Sequence, residues 1–420
     1  MYERKVSYSM QNKRSFRGGS APRNNPRRSR GGYGGGNKSS RTKQNIHPSR
    51  FINRTVAEPT VTADSYEPKY QFTDFALNPV IQQNLAEIGF TRPSAIQDQT
   101  IPLVLDGKDV IGLANTGTGK TAAFLLPLLT HLNVHRTFSS ILIMAPTREL
   151  AQQIDDEFRR FSKGMKLFSV LLVGGVGIIP QLRGLERRPH VVIGTPGRIK
   201  DHLDRGSLRL DNVKAFVLDE ADRMLDMGFV ADIRRIAGML PHDRQTLCFS
   251  ATFSDGIRSI ASDMMHNPEM VTVKVNETND HIYQDVVHYT DKDHKRELLI
   301  NLLSDEEFER VIVFGETKFG VQRLSDSIDK LGITSRAIHG NKSQSQRTRA
   351  LADFKSGKVR VLFATDVAAR GLDIPNVSHV INFDVPQAYD DYVHRIGRTG
   401  RAGKSGTALT FVEQQGMLRK

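Results

Sequence analysis

Lys120 and Thr121 close the run Ala114-Asn115-Thr116-Gly117-Thr118-Gly119-Lys120-Thr121, which follows the apolar residues Val110 to Leu113 and precedes an apolar stretch beginning at Ala122. Strand, glycine-rich turn and helix in that order make a phosphate cradle. The glycines let backbone N–H groups curl around phosphate oxygens, Lys120 offers a point charge to the terminal phosphates, and the Thr121 hydroxyl can ligand Mg²⁺. The helix N-terminus adds a favourable dipole. Ala114 departs from the general pattern, which has glycine there, so the loop needs a second feature beside it. Asp219 and Glu220 supply one, ending the apolar run Phe216-Val217-Leu218 about a hundred residues later. One carboxylate at a strand end can hold Mg²⁺ through its water shell, and its neighbour can orient and deprotonate an attacking water. A third cluster lies far downstream, where Arg395, Arg398 and Arg401 fall within seven residues of one another, spaced by Gly397 and Gly400. Three guanidinium groups so close are costly to bury without a polyanion to neutralise them.

The elements that must position these residues are legible as a rhythm. Val110 to Leu113, Ile141 to Met144, Val191 to Ile193, Phe216 to Leu218 and Thr246 to Phe249 are apolar throughout, as strands covered on both faces should be. Amphipathic stretches such as Glu149 to Phe161 lie between them, giving the alternation of a parallel sheet. The rhythm restarts after a polar segment near Asn276 to His281. Strands are then expected at Val311 to Phe314, Arg360 to Phe363, His379 to Phe383 and Ala408 to Val412, with helices near Phe319 to Leu331 and Gln344 to Phe354. Two α/β lobes follow, at residues 67–275 and 285–420, joined by a linker at 276–284.

A chain of 420 residues, 38% of them hydrophobic, has apolar material for two cores. Its formal charge of +13 is almost all at one end. Residues 1–50 hold 13 Lys and Arg against the single acid Glu3, leaving 46 basic and 45 acidic groups in the other 370 residues. This region reads Lys13-Arg14-Ser15-Phe16-Arg17-Gly18-Gly19 and Arg27-Arg28-Ser29-Arg30-Gly31-Gly32-Tyr33, without apolar periodicity, so residues 1–66 are expected to be a disordered basic tail. Arg-Gly steps with interspersed aromatics suit loose phosphate contact and base stacking on single-stranded nucleic acid. The single cysteine, Cys248, excludes an internal disulfide framework and lies in the apolar run Thr246 to Phe249, which reads as burial. No secretory signal and no run of ~18 apolar residues is present, so a cytoplasmic chain without membrane contact is expected.

With Ala221 and Asp222, the carboxylates spell Asp219-Glu220-Ala221-Asp222, and from about Phe72 to Val412 the chain resembles the DEAD-box RNA helicases of superfamily 2. The resemblance implies two tandem RecA-like parallel-sheet domains, with ATP and Mg²⁺ as cofactors and Thr121 and Asp219 at the metal. Gly89-Phe90-Thr91-Arg92-Pro93-Ser94-Ala95-Ile96-Gln97 is similar to the family's Q motif; it assigns Gln97 to the adenine edge, Phe72 to its face, and Arg92 to the same nucleotide site. Asn115 stands where relatives often carry Gln. Arg148 in Pro146 to Leu150, Gly174-Gly175, and Thr195, Pro196 and Arg198 are similar to segments that grip RNA, as are Gly340, Gln344 to Arg347, Thr365 and Arg370. Contacts of this kind go to the backbone and carry little sequence preference. Ser250-Ala251-Thr252 resembles the segment coupling the ATP and RNA sites through Asp222 and His394. Asp373 would accept hydrogen bonds from the ribose, and Arg398 and Arg401 would be arginine fingers on the γ-phosphate, reaching it only when the lobes close.

The implied activity is local separation of RNA duplexes, or remodelling of RNA–protein complexes with ribonucleoprotein partners, by a monomer whose hydrolysis of ATP releases the RNA. A long-dwelling ATP-gated RNA clamp is the alternative, and a DNA-directed motor is a third. The sequence runs about eight residues past Val412, where relatives continue into a final helix, so a lean second lobe is expected.

Overall fold

The computed structural model describes residues 46–54, 66–115, 117–134, 137–273, 281–369, 374, 376–400 and 405–414. The first lobe runs α1 (Pro79–Glu87), α2 (Ala95–Leu105), β1 (Val110–Leu113), α3 (Lys120–Val134), β2 (Ile141–Met144), α4 (Arg148–Phe161), β3 (Ser169–Leu172), α5 (Ile178–Glu186), β4 (Val191–Gly194), α6 (Pro196–Asp204), β5 (Ala215–Leu218), α7 (Ala221–Asp226), α8 (Val230–Ala237), β6 (Gln245–Ser250), α9 (Asp255–Met264) and β7 (Glu269–Thr272). The second runs β8 (Ile282–Tyr289), α10 (Lys292–Ser304), β9 (Val311–Phe314), α11 (Lys318–Asp329), β10 (Ser335–Ile338), α12 (Gln344–Lys355), β11 (Val361–Ala364), α13 (Asp366–Ala369), β12 (His379–Asn382), α14 (Tyr389–Ile396) and β13 (Gly406–Glu413).

Each lobe is a parallel sheet, ordered β3-β4-β2-β5-β6-β1-β7 in the first and β10-β11-β9-β12-β13-β8 in the second. Alternate residues of one strand feed different cores. Ile141 and Ile143 join the apolar cluster on one face of the first sheet, while Leu142 and Met144 join the cluster on the other. In the second lobe Ile312 and Phe314 are separated from Val311 and Val313 in the same way. Strands buried on both faces have no polar side to show, which is why they read as unbroken apolar runs.

Helix starts are chemically marked. Thr147 caps α4 by accepting the Leu150 N–H at 3.2 Å, and Ser343 with Gln346 forms a capping box at the start of α12. Because all strands of a lobe point the same way, the loops after β1 to β6 emerge at one edge of the first sheet, where ligands of open α/β sheets bind.

Besides the unexpected strands β3 and β10, three stretches differ from expectation. β8 begins at Ile282, inside the span expected to be linker, while residues 274–280 lie outside the described residues. The edge strand β7, unforeseen, buries only Val271 of its four residues, so it lacks the apolar signature of a central strand. Most of the expected tail lies outside the described residues, but Pro48–Phe51 form a turn of 3₁₀ helix, and Phe51, 1% exposed, joins the core of the second lobe. One aromatic residue packed into a preformed apolar surface outweighs a composition that argues for disorder only on average. Among the described residues no helix is long and apolar enough to cross a membrane.

Candidate active site and nucleic-acid interface

The phosphate loop follows β1, with Gly117 and Gly119 at φ 89° and 90°, a left-handed conformation open to glycine at no steric cost. Lys120 is buried and donates to the Ala114 carbonyl at 3.0 Å, and Thr118 Oγ1 donates to the Asn115 carbonyl at 2.9 Å. Thr121 sits in the first turn of α3, partly exposed; Thr116 lies outside the described residues.

Gln97 braces this loop. Its Oε1 accepts the Ser94 N–H at 2.9 Å and its Nε2 donates to the Gly119 carbonyl at 3.1 Å, while Ser94 Oγ donates to the Thr118 carbonyl at 2.7 Å. The capping box of α2 therefore holds the phosphate loop from behind, leaving one amide hydrogen and one lone pair of Gln97 for a base edge. Phe72 is 5% exposed, its ring 6.1 Å from Phe75 and 5.9 Å from Phe90, and Arg92 is exposed.

Asp219 and Glu220 follow β5, separated from β1 by β6 alone. Both carboxylates are buried. Burial, only partly offset by the Lys120 ammonium and aggravated by Glu220, pushes the Asp219 carboxyl up to about 6. Glu220 itself sits at φ 51°, ψ 53°, left-handed backbone that a residue with a side chain rarely adopts. Asp222 Oδ2 then accepts from the backbone N–H groups of Ala251 and Thr252 at 3.0 and 3.2 Å and from Thr252 Oγ1 at 3.4 Å. Ser250 turns its hydroxyl to the Thr252 carbonyl, at 2.8 Å, instead of to Asp222.

Across the gap, α14 carries Asp391, His394 and Arg395 toward the first lobe. Arg223, next to Asp222, approaches Asp391 at 3.6 Å, both nearly buried. Arg223, Asp391, His394 and Arg398 line one small cavity between the lobes, and Arg398 is 4% exposed with Nε donating to the His394 carbonyl. Arg395 has a different fate from the one its spacing suggested. It forms a bidentate pair with Asp366 at 2.6 and 2.7 Å and donates to Asn382 and to the Asp384 carbonyl, so protein groups alone neutralise it. Arg370, Asp373 and Arg401 lie outside the described residues.

A second interlobe feature is a groove of about 600 Å³ between Gly175 and Val176 on one side and Gln344, Ser345 and Arg349 on the other. The Arg148 guanidinium lies so close over Gly174 and Gly175 that a Cβ on Gly175 would collide with it. Burial and then the neighbouring Arg347 and Arg198 lower the Arg148 pKa, so three guanidinium groups converge here. Arg347, expected among the positions that grip RNA, is buried and pairs with Glu149 of the first lobe at 2.6 Å. Thr195 stands at the N-cap position of α6 without a side-chain capping bond, Pro196 opens the first turn, and Arg198 Nη1 donates to the Val176 carbonyl at 3.1 Å. Gly340 is exposed after β10, and Thr365, 9% exposed, follows β11.

The family model for DEAD/DEAH box helicases matches residues 94–260, and that for the helicase conserved C-terminal domain matches 294–403. The chain is 46% identical over 83% of its length to an ATP-dependent RNA helicase, CshA, of Listeria monocytogenes, covering 67% of that protein. It is 48% identical over 81% of its length to the DEAD-box ATP-dependent RNA helicase CshA of Geobacillus kaustophilus, covering 73% of it. Among solved structures, S. cerevisiae Dbp5 bound to RNA and ADP BeF3 superposes with a TM-score of 0.73 at 34% identity, over 82% of this chain and 90% of that one. Mss116p bound to ssRNA and AMP-PNP gives 0.74 at 29% identity, over 83% and 76%. A phosphate loop, an Asp-Glu-Ala-Asp strand end and an arginine-bearing second lobe, matched along both halves by these relatives, are the features of one family: this chain is a DEAD-box helicase.

Proposed function

We propose that the chain is an ATP-dependent RNA helicase that holds the RNA backbone across both lobes, opens short duplexes or remodels RNA–protein complexes, and hydrolyses ATP to let the RNA go. The observation that carries this reading is the cavity shared by Arg223 of the first lobe and Arg398 of the second, beside the Asp219–Asp222 tetrad. Lys120 and Arg398 neutralise the terminal phosphate from opposite lobes. Glu220 takes the proton of the attacking water, which displaces ADP from the γ-phosphorus and yields phosphate. Residues Ala114 to Thr121, with Thr116, cradle the phosphates; Gln97, Phe72 and Arg92 serve the adenine end, Asp373 the ribose, and Arg401 joins Arg398.

The residues fit Mg²⁺. A buried carboxyl pushed up to about 6 lacks enough positive charge around it, and one carboxylate with one hydroxyl is the sparse donor set that Mg²⁺ shares with phosphate and water. Asp219 and Thr121 would hold the ion, which when bound screens the phosphate oxygens.

Arg148, Gly174, Gly175, Thr195, Pro196, Arg198, Gly340, Gln344, Thr365 and Arg370 serve the RNA, meeting its backbone with guanidinium and N–H groups that read no base. Asp222 bridges the two sites, since its carboxylate holds the end of β6 while its helix begins directly after Glu220. His394 takes part from the opposite lobe. Both halves of the centre come from one chain, so a monomer suffices, and a single buried cysteine suits a reducing cytoplasm.

ATP turnover measured with single-stranded RNA, duplex RNA and DNA of matched length tests the proposal. RNA should stimulate turnover and DNA should not. Equal stimulation by DNA would overturn the assignment of substrate.

A further inference from the structure

Residues 46–54 precede the first lobe in the chain yet pack on the second. Phe51 is 1% exposed, its ring centroid 4.7 Å from that of Tyr392, and it shares a core cluster with Ile282 and Ile396. The Arg50 guanidinium lies 3.8 Å from the centroid of the Tyr389 ring. Asn53 exchanges two backbone hydrogen bonds of 2.8 Å with Gln284 on the edge strand β8, and Arg54 grips Asp285 with two bonds of 3.1 and 3.0 Å. Gln284 in turn accepts the Tyr392 hydroxyl at 2.9 Å.

The two faces of α14 then have different tasks. Tyr389, Tyr392 and Ile396 recur at three- and four-residue spacing and meet the strap or its core, whereas Asp391, His394 and Arg395 face the interlobe cavity with Arg398. The turn after Arg398 is braced from the same side, since a Cβ on Gly400 would stand 2.6 Å from Ile282. Thr399 is tied to the Val377 and Ser378 carbonyls. Movement of Phe51 would thus loosen Tyr392 and Ile282, the two supports between which Arg398 is carried. Eleven residues separate Arg54 from Tyr66, whose hydroxyl is bonded to Asp98 of the first lobe at 2.6 Å, so the strap also connects the lobes a second time.

We infer that residues 46–54 are a positioning strap for the arginine-finger helix, with Phe51 as a positioning residue for ATP hydrolysis. The inference rests on the reading of Arg398 as a finger. Edge protection alone would need only the pairing at Asn53, whereas an aromatic plug under Tyr392 and a guanidinium on Tyr389 act on the helix itself.

The full-length chain is assayed at saturating RNA as wild type, Phe51→Ala, Phe51→Leu, Ile52→Ala and Arg398→Ala. Phe51→Ala should lower kcat roughly tenfold with the KM for ATP within about twofold, because misplacing a charged group by a fraction of an ångström slows chemistry without touching the lobe that holds the nucleotide. Phe51→Leu should restore most of the rate, and Ile52→Ala, at an exposed position, should match wild type. Deleting residues 1–54 removes the strap without leaving an unpacked side chain and should reproduce the kcat loss. Wild-type kcat in Phe51→Ala with a lowered melting temperature would make the strap merely structural and overturn the inference. Normal turnover in Arg398→Ala would instead remove the finger reading beneath it.

Discussion

Glu220 combines a carboxylate at 5% exposure with left-handed backbone, a conformation that costs a non-glycine residue about 1–3 kcal/mol and persists only where its surroundings hold it. Glu220→Gln keeps shape and hydrogen-bonding reach but cannot accept a proton. ATP and RNA binding should survive while turnover drops by about 10²–10⁴, measured as phosphate release at saturating RNA. Near-wild-type turnover would refute the role of general base. Lys120, Asp219, Glu220 and Asp222 are legible in the sequence because their neighbours in the chain define the job. Arg395 is not, since its partners Asp366, Asn382 and Asp384 lie up to 29 residues away and only folding brings them to it. The double use of Gln97, as cap of α2 and brace of the phosphate loop, also required coordinates, because a Ser-x-x-Gln spacing says nothing of what lies behind the helix.

At the scale of elements, central strands were readable and margins were not. β2, β4 and β5 are buried on both faces and appear as apolar runs, whereas β7 and β8 mix in Glu269, Asp285 and His288 because one side of each is at or near solvent. The strap of residues 46–54 escaped for a related reason: a single buried aromatic in a polar stretch has no period. Nor could the ladder of helices disclose that α4 and α12 meet. They do so through Glu149 and Arg347, 198 residues apart, at 7% and 4% side-chain exposure for the arginine and the acid. A buried ion pair broken on one side leaves an uncompensated charge worth about 3–5 kcal/mol, and here opening of the lobes can relieve it. Glu149→Gln and Arg347→Gln should each weaken RNA affinity in the presence of ATP analogue by about tenfold or more. The double variant should lose far less than the product of the two, as read by fluorescence anisotropy in a double-mutant cycle. Additive losses would show that the pair does not act as a latch.

For the whole molecule, two sheets of the same architecture put their functional loops at facing edges, and neither lobe alone contains a complete centre. Phosphate loop and carboxylates belong to one, the arginine-bearing helix to the other, and the groove proposed for RNA is lined by both. On the proposed reading hydrolysis is tied to closure, because the second lobe would contribute charge only when brought up to the nucleotide. The duplicated architecture was evident from the repeated strand–helix rhythm, but the faces that meet were not, since interlobe contacts involve pairs such as Arg223 and Asp391 that no local pattern marks. The most direct measurement is RNA-stimulated ATP turnover of Arg398→Ala beside direct nucleotide binding to the same variant. An arginine finger is worth about 10³–10⁵ in rate, so turnover should fall by at least ~10³ while nucleotide affinity changes no more than a few-fold. Turnover within tenfold of wild type would contradict a centre divided between the two lobes.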